Sequence, residues 1–171
     1  MLSSPERLTT QRPDQKPAND AENRSPWVSF KNRPAPKRGE RVRVYRNLNN
    51  GQYSVRALQG PHKGLVLGYA PAIELTDANL IVREKTRLKA VEQGVRNVHA
   101  WSEGIFESCC DHPPASVTTK QLRVTYFPFI KSHFFLRSRP DQTITRIDHA
   151  WAYQADIWLS APPAPQKPIG D

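Results

Sequence analysis

The stretch "RVRVYRNLNNGQYSVRAL", residues 41–58, decides how the chain is read. Val42 and Val44 alternate with Arg41, Arg43 and Tyr45, so one face is apolar and the other basic and aromatic, the period-two signature of a half-buried strand. Asn49, Asn50 and Gly51 follow, residue types that tolerate the positive φ of a tight turn. "QYSVRAL" then returns as the partner strand. The pattern is a β-hairpin with its arginines outward.

Working outward from that hairpin, "QGPHKG" is a second Gly/Pro turn and "LVLGYA" a third strand. "AIELTD" and "NLIVRE" read as two further strands, with Asp77 marking a turn between them. The spacing then changes. Leu88 and Val91 lie three apart among charges and Gly94 suits a C-cap, which predicts one short helix from about Lys85 to Gln93. Residues 95–106 resume a strand, and in it Val95, Asn97, His99 and Trp101 share a face. "ESCCDHPPAS" reads as a loop and "VTTKQLRVTYFPF" as a long strand ending near Pro128, which "KSHFFLR" continues. "SRPDQ" reads as a β-turn with Pro140 near its start. "TITRIDHAWAYQADIWL" is the last β segment or pair, in which His149, Trp151, Tyr153, Ala155, Ile157 and Leu159 share one face and Trp158 takes the other. The expected fold is mainly β: a small bent antiparallel sheet or open barrel with one short helix.

The flanks differ in texture. Residues 1–40 carry six of the prolines and eight Lys/Arg against five Asp/Glu. Only Trp27, Val28 and Phe30 break their polarity, so the segment reads as a disordered basic arm that buries too little to offset its ordering entropy. Trp27 and Phe30, beside four basic residues in "WVSFKNRPAPKR", either dock on a partner or fold back onto the domain. Residues 161–171 read as a Pro-rich tail. The single domain is expected over residues 41–160, where 16 Lys/Arg stand against 10 Asp/Glu. Most of the net charge of +9 therefore belongs to the folded part. That balance favours an anionic partner, nucleic acid or an acidic protein surface.

Several classes fall away. No apolar run approaches the roughly 20 residues of a membrane span, and the N-terminus shows no secretory leader, so no membrane partner is expected. Cys109 and Cys110 are adjacent and have no other cysteine to pair with, which excludes a disulfide scaffold and fits a reducing cytoplasm. Neighbouring thiols also present poorly to one tetrahedral ion, and no second CxxC or HxxxH occurs, so no metal and no cofactor is expected. GxSxG, Walker and GxGxxG signatures are missing.

The residues singled out for nucleic-acid contact are Arg41, Arg43, Tyr45 and Arg46 of the first hairpin, with Arg83, Lys85, Arg87, Lys89 and Arg96 around the helix. Outward arginines beside an aromatic can follow phosphates and stack a base; the plainer alternative is a wetted surface. Trp27 and Trp158 are candidates for protein contact. His99 raises a competing expectation: a metal-independent ribonuclease with His99 as general base and Arg96 or Arg46 as phosphate clamp. Against it stands a half-buried histidine packed on Trp101. A third reading is an assembly protein that associates through the Trp158 strand, and the oligomeric state is left open.

In order and spacing, "VYRNLNNGQYSVRA", "GLVLGYAPAIELTDANLIVRE", "RNVHAW", "VTYFPFIKSHFF" and "ADIWL" resemble a family of small proteins from bacteriophages and mobile elements that carries no established activity. The resemblance runs from about Val44 to Leu159. Phe127 and Phe129 stand where that family has asparagine and tyrosine, and "ESCCDHPPASVTTKQ" is an insertion, so a polar site on that element is not implied. What the resemblance implies is a phage or integrated-element origin and a bacterial cytoplasm. The expected function is that of a non-enzymatic accessory protein that engages nucleic acid or a host nucleoprotein.

Overall fold

A computed structural model describes residues 25–96, 98–119 and 122–161. In chain order the elements are β1 (Val28–Ser29), β2 (Arg41–Arg46), β3 (Tyr53–Ala57), β4 (Val66–Ala70), β5 (Ala72–Val82), α1 (Glu84–Glu92) and β6 (Ala100–Cys110). They continue with α2 (Ala115–Thr119), β7 (Val124–Tyr126), β8 (Phe134–Leu136), β9 (Arg139–Thr143), β10 (Ile147–Tyr153) and β11 (Asp156–Leu159). Eight strands form one antiparallel sheet in the order β1-β4-β3-β2-β6-β5-β10-β11, open rather than closed into a barrel. Strands β7, β8 and β9 form a second, smaller sheet.

The opening hairpin folds as its alternation dictates. Val42 pairs with Ala57 and Val44 with Val55, and all four point inward. The three valines are at most 1% exposed, worth roughly 1.5–3 kcal/mol each in water excluded. Ile73, Leu75, Phe106, Ala150 and Ala152 extend this inner face across the sheet. Leu122 and Val124, with Phe134, Leu136 and Ile144 from the region of the small sheet, pack against it to make the main core.

Several expectations need correction. The two strands expected on either side of Asp77 are one strand, β5, which bends without breaking. Asp77 takes a φ of 46° at a register shift between Thr76 and Asn79, so the signal read as a turn is a β-bulge. Across from it, Gly104 leaves the space that the bulge fills. A Cβ there would lie 2.9 Å from the Thr76 carbonyl oxygen. The strand expected over 95–106 begins only at Ala100 and runs on to Cys110, taking in four residues of the expected cysteine loop. α2 covers the last two residues of that loop and the first three of the expected long strand, of whose described residues only Val124–Tyr126 are strand, and "KSHFFLR" supplies the separate antiparallel strand β8. Pro140 is not in a turn; it lies within β9, an edge strand, where a missing N–H costs no ladder bond. The last β segment is a hairpin. Gln154 and Ala155 turn it with φ of 47° and 71°, without the Gly or Asn that would have announced it.

The helix near Lys85 forms, and Gly94, at φ 65°, ends it. Its buried residue is Ala90, however, and Leu88 is 52% exposed. The folded unit also starts ahead of Arg41. β1 pairs Val28 with Tyr69 and Ser29 with Gly68, and the Trp27 ring packs where a Gly68 Cβ would otherwise stand. Residues 1–24 of the expected arm and 162–171 of the expected tail lie outside the described residues.

Candidate nucleic-acid interface

Antiparallel pairing puts directly opposed residues on the same face, so the outer surface of the large sheet can be read row by row. One row runs Tyr69 (β4), Ser54 (β3), Tyr45 (β2), Trp101 (β6) and Ile81 (β5). The next holds Arg56, Arg43, Glu103 and Asn79. Three aromatics therefore cross the sheet beside a row in which two guanidiniums are followed by a carboxylate and an amide. Tyr69, Tyr45 and Trp101 are all partly exposed.

Trp101 is the centre of the arrangement. The Arg43 guanidinium lies 4.8 Å and that of Arg83 5.2 Å from the centre of its ring, both in cation–π contact. Its Nε1–H is buried and makes no hydrogen bond. The Arg43 Nε and Nη2 atoms donate to Glu103 Oε1 at 2.8 and 2.6 Å, which fixes that guanidinium in place. Arg83 has no such anchor. It stands in extended conformation between β5 and α1, exposed, and forms no ion pair among the described residues.

The expected cations fall into two groups. Arg41 faces Asp77 at 3.5 Å, Arg43 is held by Glu103, and Arg87 donates to both Glu84 oxygens and to the Pro128 carbonyl at 3.1 Å. These three serve the fold, and Arg87 ties α1 to the loop after β7. The Glu84 carboxyl is held below its usual range by its hydrogen bond to Arg87. By contrast Arg83, Lys85, Lys89 and Arg96 are exposed and take part in no ion pair among the described residues. Lys85 and Lys89 flank Leu88 along a shallow open groove on α1. Arg46 is not part of this group. It takes the opposite parity from Tyr45, opposes Tyr53, and its charge is felt by Asp156.

His99 lies just ahead of β6, exposed, its ring edge-on to Tyr45 at 6.4 Å between centres. It lies against Tyr45, while Arg46 takes the opposite parity from Tyr45. Trp27 is half-buried against the main core. Trp158 is half-buried too: it pairs with Trp151 across the β10–β11 hairpin, and its Nε1 donates to the Tyr153 carbonyl at 3.1 Å.

The other end of the same outer face is finished differently. Trp151, Ala72 and Val117 form a second small core under α2, joined by Cys110, Tyr153 and Trp158. Cys110 is on this outer side while Cys109 packs into the main core, as consecutive strand residues must. Burial pushes both thiols up. Between the two ends, Glu74 accepts from Ser108 Oγ at 2.5 Å and meets His149 Nε2 at 2.5 Å. The carboxylate stands between the hydroxyl and the imidazole, so the ring cannot take a proton from the serine. Among the described residues no cluster of metal-ligating side chains forms.

Reasoning from sequence missed Tyr69, Trp101 and Arg56 as members of this surface. The signal for Tyr69 was its alternation in "VLGYA"; for Trp101 it was the pairing of β2 with β6, which only the fold reveals. Among the described residues no helix is long and apolar enough to cross a membrane. No curated protein and no solved structure matches the chain. One family model does match, described as Mycobacterium phage L5 gene 82 protein. It spans residues 35–155, from ahead of β2 to the turn after β10, and so takes in the whole aromatic row and its cations but neither Trp27 nor Trp158. With more than half of its length matched, the chain belongs to this phage protein family.

Proposed function

We propose that this phage-family protein is a non-enzymatic binding module that engages nucleic acid, free or as part of a host nucleoprotein, in the bacterial cytoplasm. The observation that carries this reading is the part of the outer sheet face that no helix covers, where Tyr45 and Trp101 lie side by side, Arg83 lies over the Trp101 ring, and Lys85, Lys89 and Arg96, close by in the chain, are exposed and without an ion pair among the described residues. Phosphates supply affinity by releasing counterions from such cations, and exposed rings supply stacking. Occupying nucleic acid in this way would let a small protein interfere with a host system that needs the same strand. Binding to a labelled oligonucleotide should weaken steeply with salt. If all four free cations meet phosphates, the log–log slope is about −3. Retention that does not respond to salt, or an absence of nucleic acid in material purified from the host cell, overturns the reading.

A further inference from the structure

We infer that the partner of this face is single-stranded nucleic acid, with unpaired bases stacked along Tyr69, Tyr45 and Trp101, and that Arg83 is the movable cover of the Trp101 position. The inference rests on the nucleic-acid reading above and narrows it. Three features favour a single strand over a duplex. The aromatic row lies across four strands of an open sheet, with Tyr45 and Trp101 on adjacent strands about 5 Å apart. A duplex keeps its base faces inside the stack and offers such a row nothing to lie on, whereas unpaired bases stack on aromatic side chains whatever their identity. The row beside it is not a phosphate-tracking ridge either. Arg43 is spent on Glu103, and that carboxylate would repel a phosphate placed there. The free positive charge nearest the row is Arg83, over the Trp101 ring and at the entry to α1 with its exposed Lys85 and Lys89, where the backbone of a strand leaving Trp101 would pass.

The two guanidiniums on Trp101 are unequal, and this assigns the cover. Removing Arg43 would strand Glu103, half-buried, without its partner. Arg83 leaves no carboxylate unpaired among the described residues when it moves. If it swings to a phosphate, the part of the ring it lies over is freed for a base, beside an Nε1–H that has no acceptor among the described residues. Cation–π contact to Arg83 is thus exchanged for base stacking and a charge-assisted contact.

The test uses the full chain with short oligo(dT), oligo(U) and a hairpin-capped duplex, followed by anisotropy of the labelled strand. Binding to the single strands should exceed binding to the duplex at least about ten-fold. Trp101→Ala and Tyr45→Ala should each weaken single-strand binding about ten-fold or more, with Trp101→Phe restoring most of it. Circular dichroism and the thermal midpoint establish that each variant is folded. Arg83→Ala should lower the salt slope while leaving tryptophan quenching by oligo(dT) in place, and Arg83→Lys should restore the slope. Equal binding to single strand and duplex, with folded Trp101→Phe and Trp101→Ala both indistinguishable from the parent, overturns this inference and leaves the nucleic-acid reading standing. Failure of every oligonucleotide to bind overturns both.

Discussion

Trp101 and Trp151 lie on the same outer face of one sheet, on β6 and β10, two strands apart, yet their surroundings differ. Trp151 is 7% exposed beneath α2, among Ala72, Val117 and Cys110. Trp101 has no such roof; two arginines lie over it, and its indole donor finds no partner. An indole covered by helix and alanine is a piece of core, and its burial is complete without any other molecule. An indole covered by guanidiniums is shielded from water by groups that themselves prefer phosphate or solvent. The face is therefore divided between a part that the protein finishes for itself and a part that it leaves available.

The largest expected effect separates the two tryptophans. Trp151→Ala should cost about 3–5 kcal/mol in urea unfolding, because a nearly buried ring leaves a cavity. Trp101→Ala should cost about 1–2 kcal/mol, the scale of its cation–π contacts. Equal losses would mean that the two indoles are covered equally well. Next comes the roof itself. Val117 is 4% exposed, so Val117→Ala should cost about 1–2 kcal/mol and speed alkylation of Cys110 by iodoacetamide, leaving Cys109, in the main core, slow. Unchanged Cys110 reactivity would mean that α2 does not guard that end.

On the open side, Glu103→Gln should change stability by no more than about 1 kcal/mol, since the pair with Arg43 is partly exposed. It should also free Arg43 and steepen the salt dependence of oligonucleotide binding by about one phosphate contact. A flat response would mean that Arg43 lies outside the binding path. The smallest effect concerns the seam between the two parts. Glu107 accepts from Arg38 at 2.6 Å and from Thr76 at 2.8 Å, which holds its carboxyl below the usual value near 4.5. A carboxylate with a depressed folded pKa stabilises the fold above the unfolded value. That contribution fades as the pH falls from about 4.5 through the folded pKa. Glu107→Gln should therefore flatten the acid limb of the thermal midpoint against pH: the variant falls below the parent at neutral pH, and the gap closes as the pH drops through the folded pKa.

What the sequence disclosed follows from how local the cause was. The first hairpin was legible because alternation and an Asn-Asn-Gly turn are both short-range signals. The bulge at Asp77, the β-strand character of Pro140 and the Gln154–Ala155 turn were not, because in each case tertiary pairing overrides residue preference. The helix was found but faced wrongly: Leu88 looked like its core contact, and the burial went to Ala90. For the candidate site, basic residues could be named from the sequence, but not which of them a carboxylate had already claimed. Arg43 and Glu103 are 60 positions apart and meet only because β2 lies beside β6. The aromatic row depends on the same non-consecutive pairing.

Pro140 carries one more consequence. It occupies β9, the outer strand of the three-stranded sheet, and Arg139 and Asp141 flank it, all exposed. A strand margin with a missing N–H and alternating charges is a poor template for another chain's backbone. The β9 margin of the small sheet is thereby guarded against recruiting a strand from another copy of the chain.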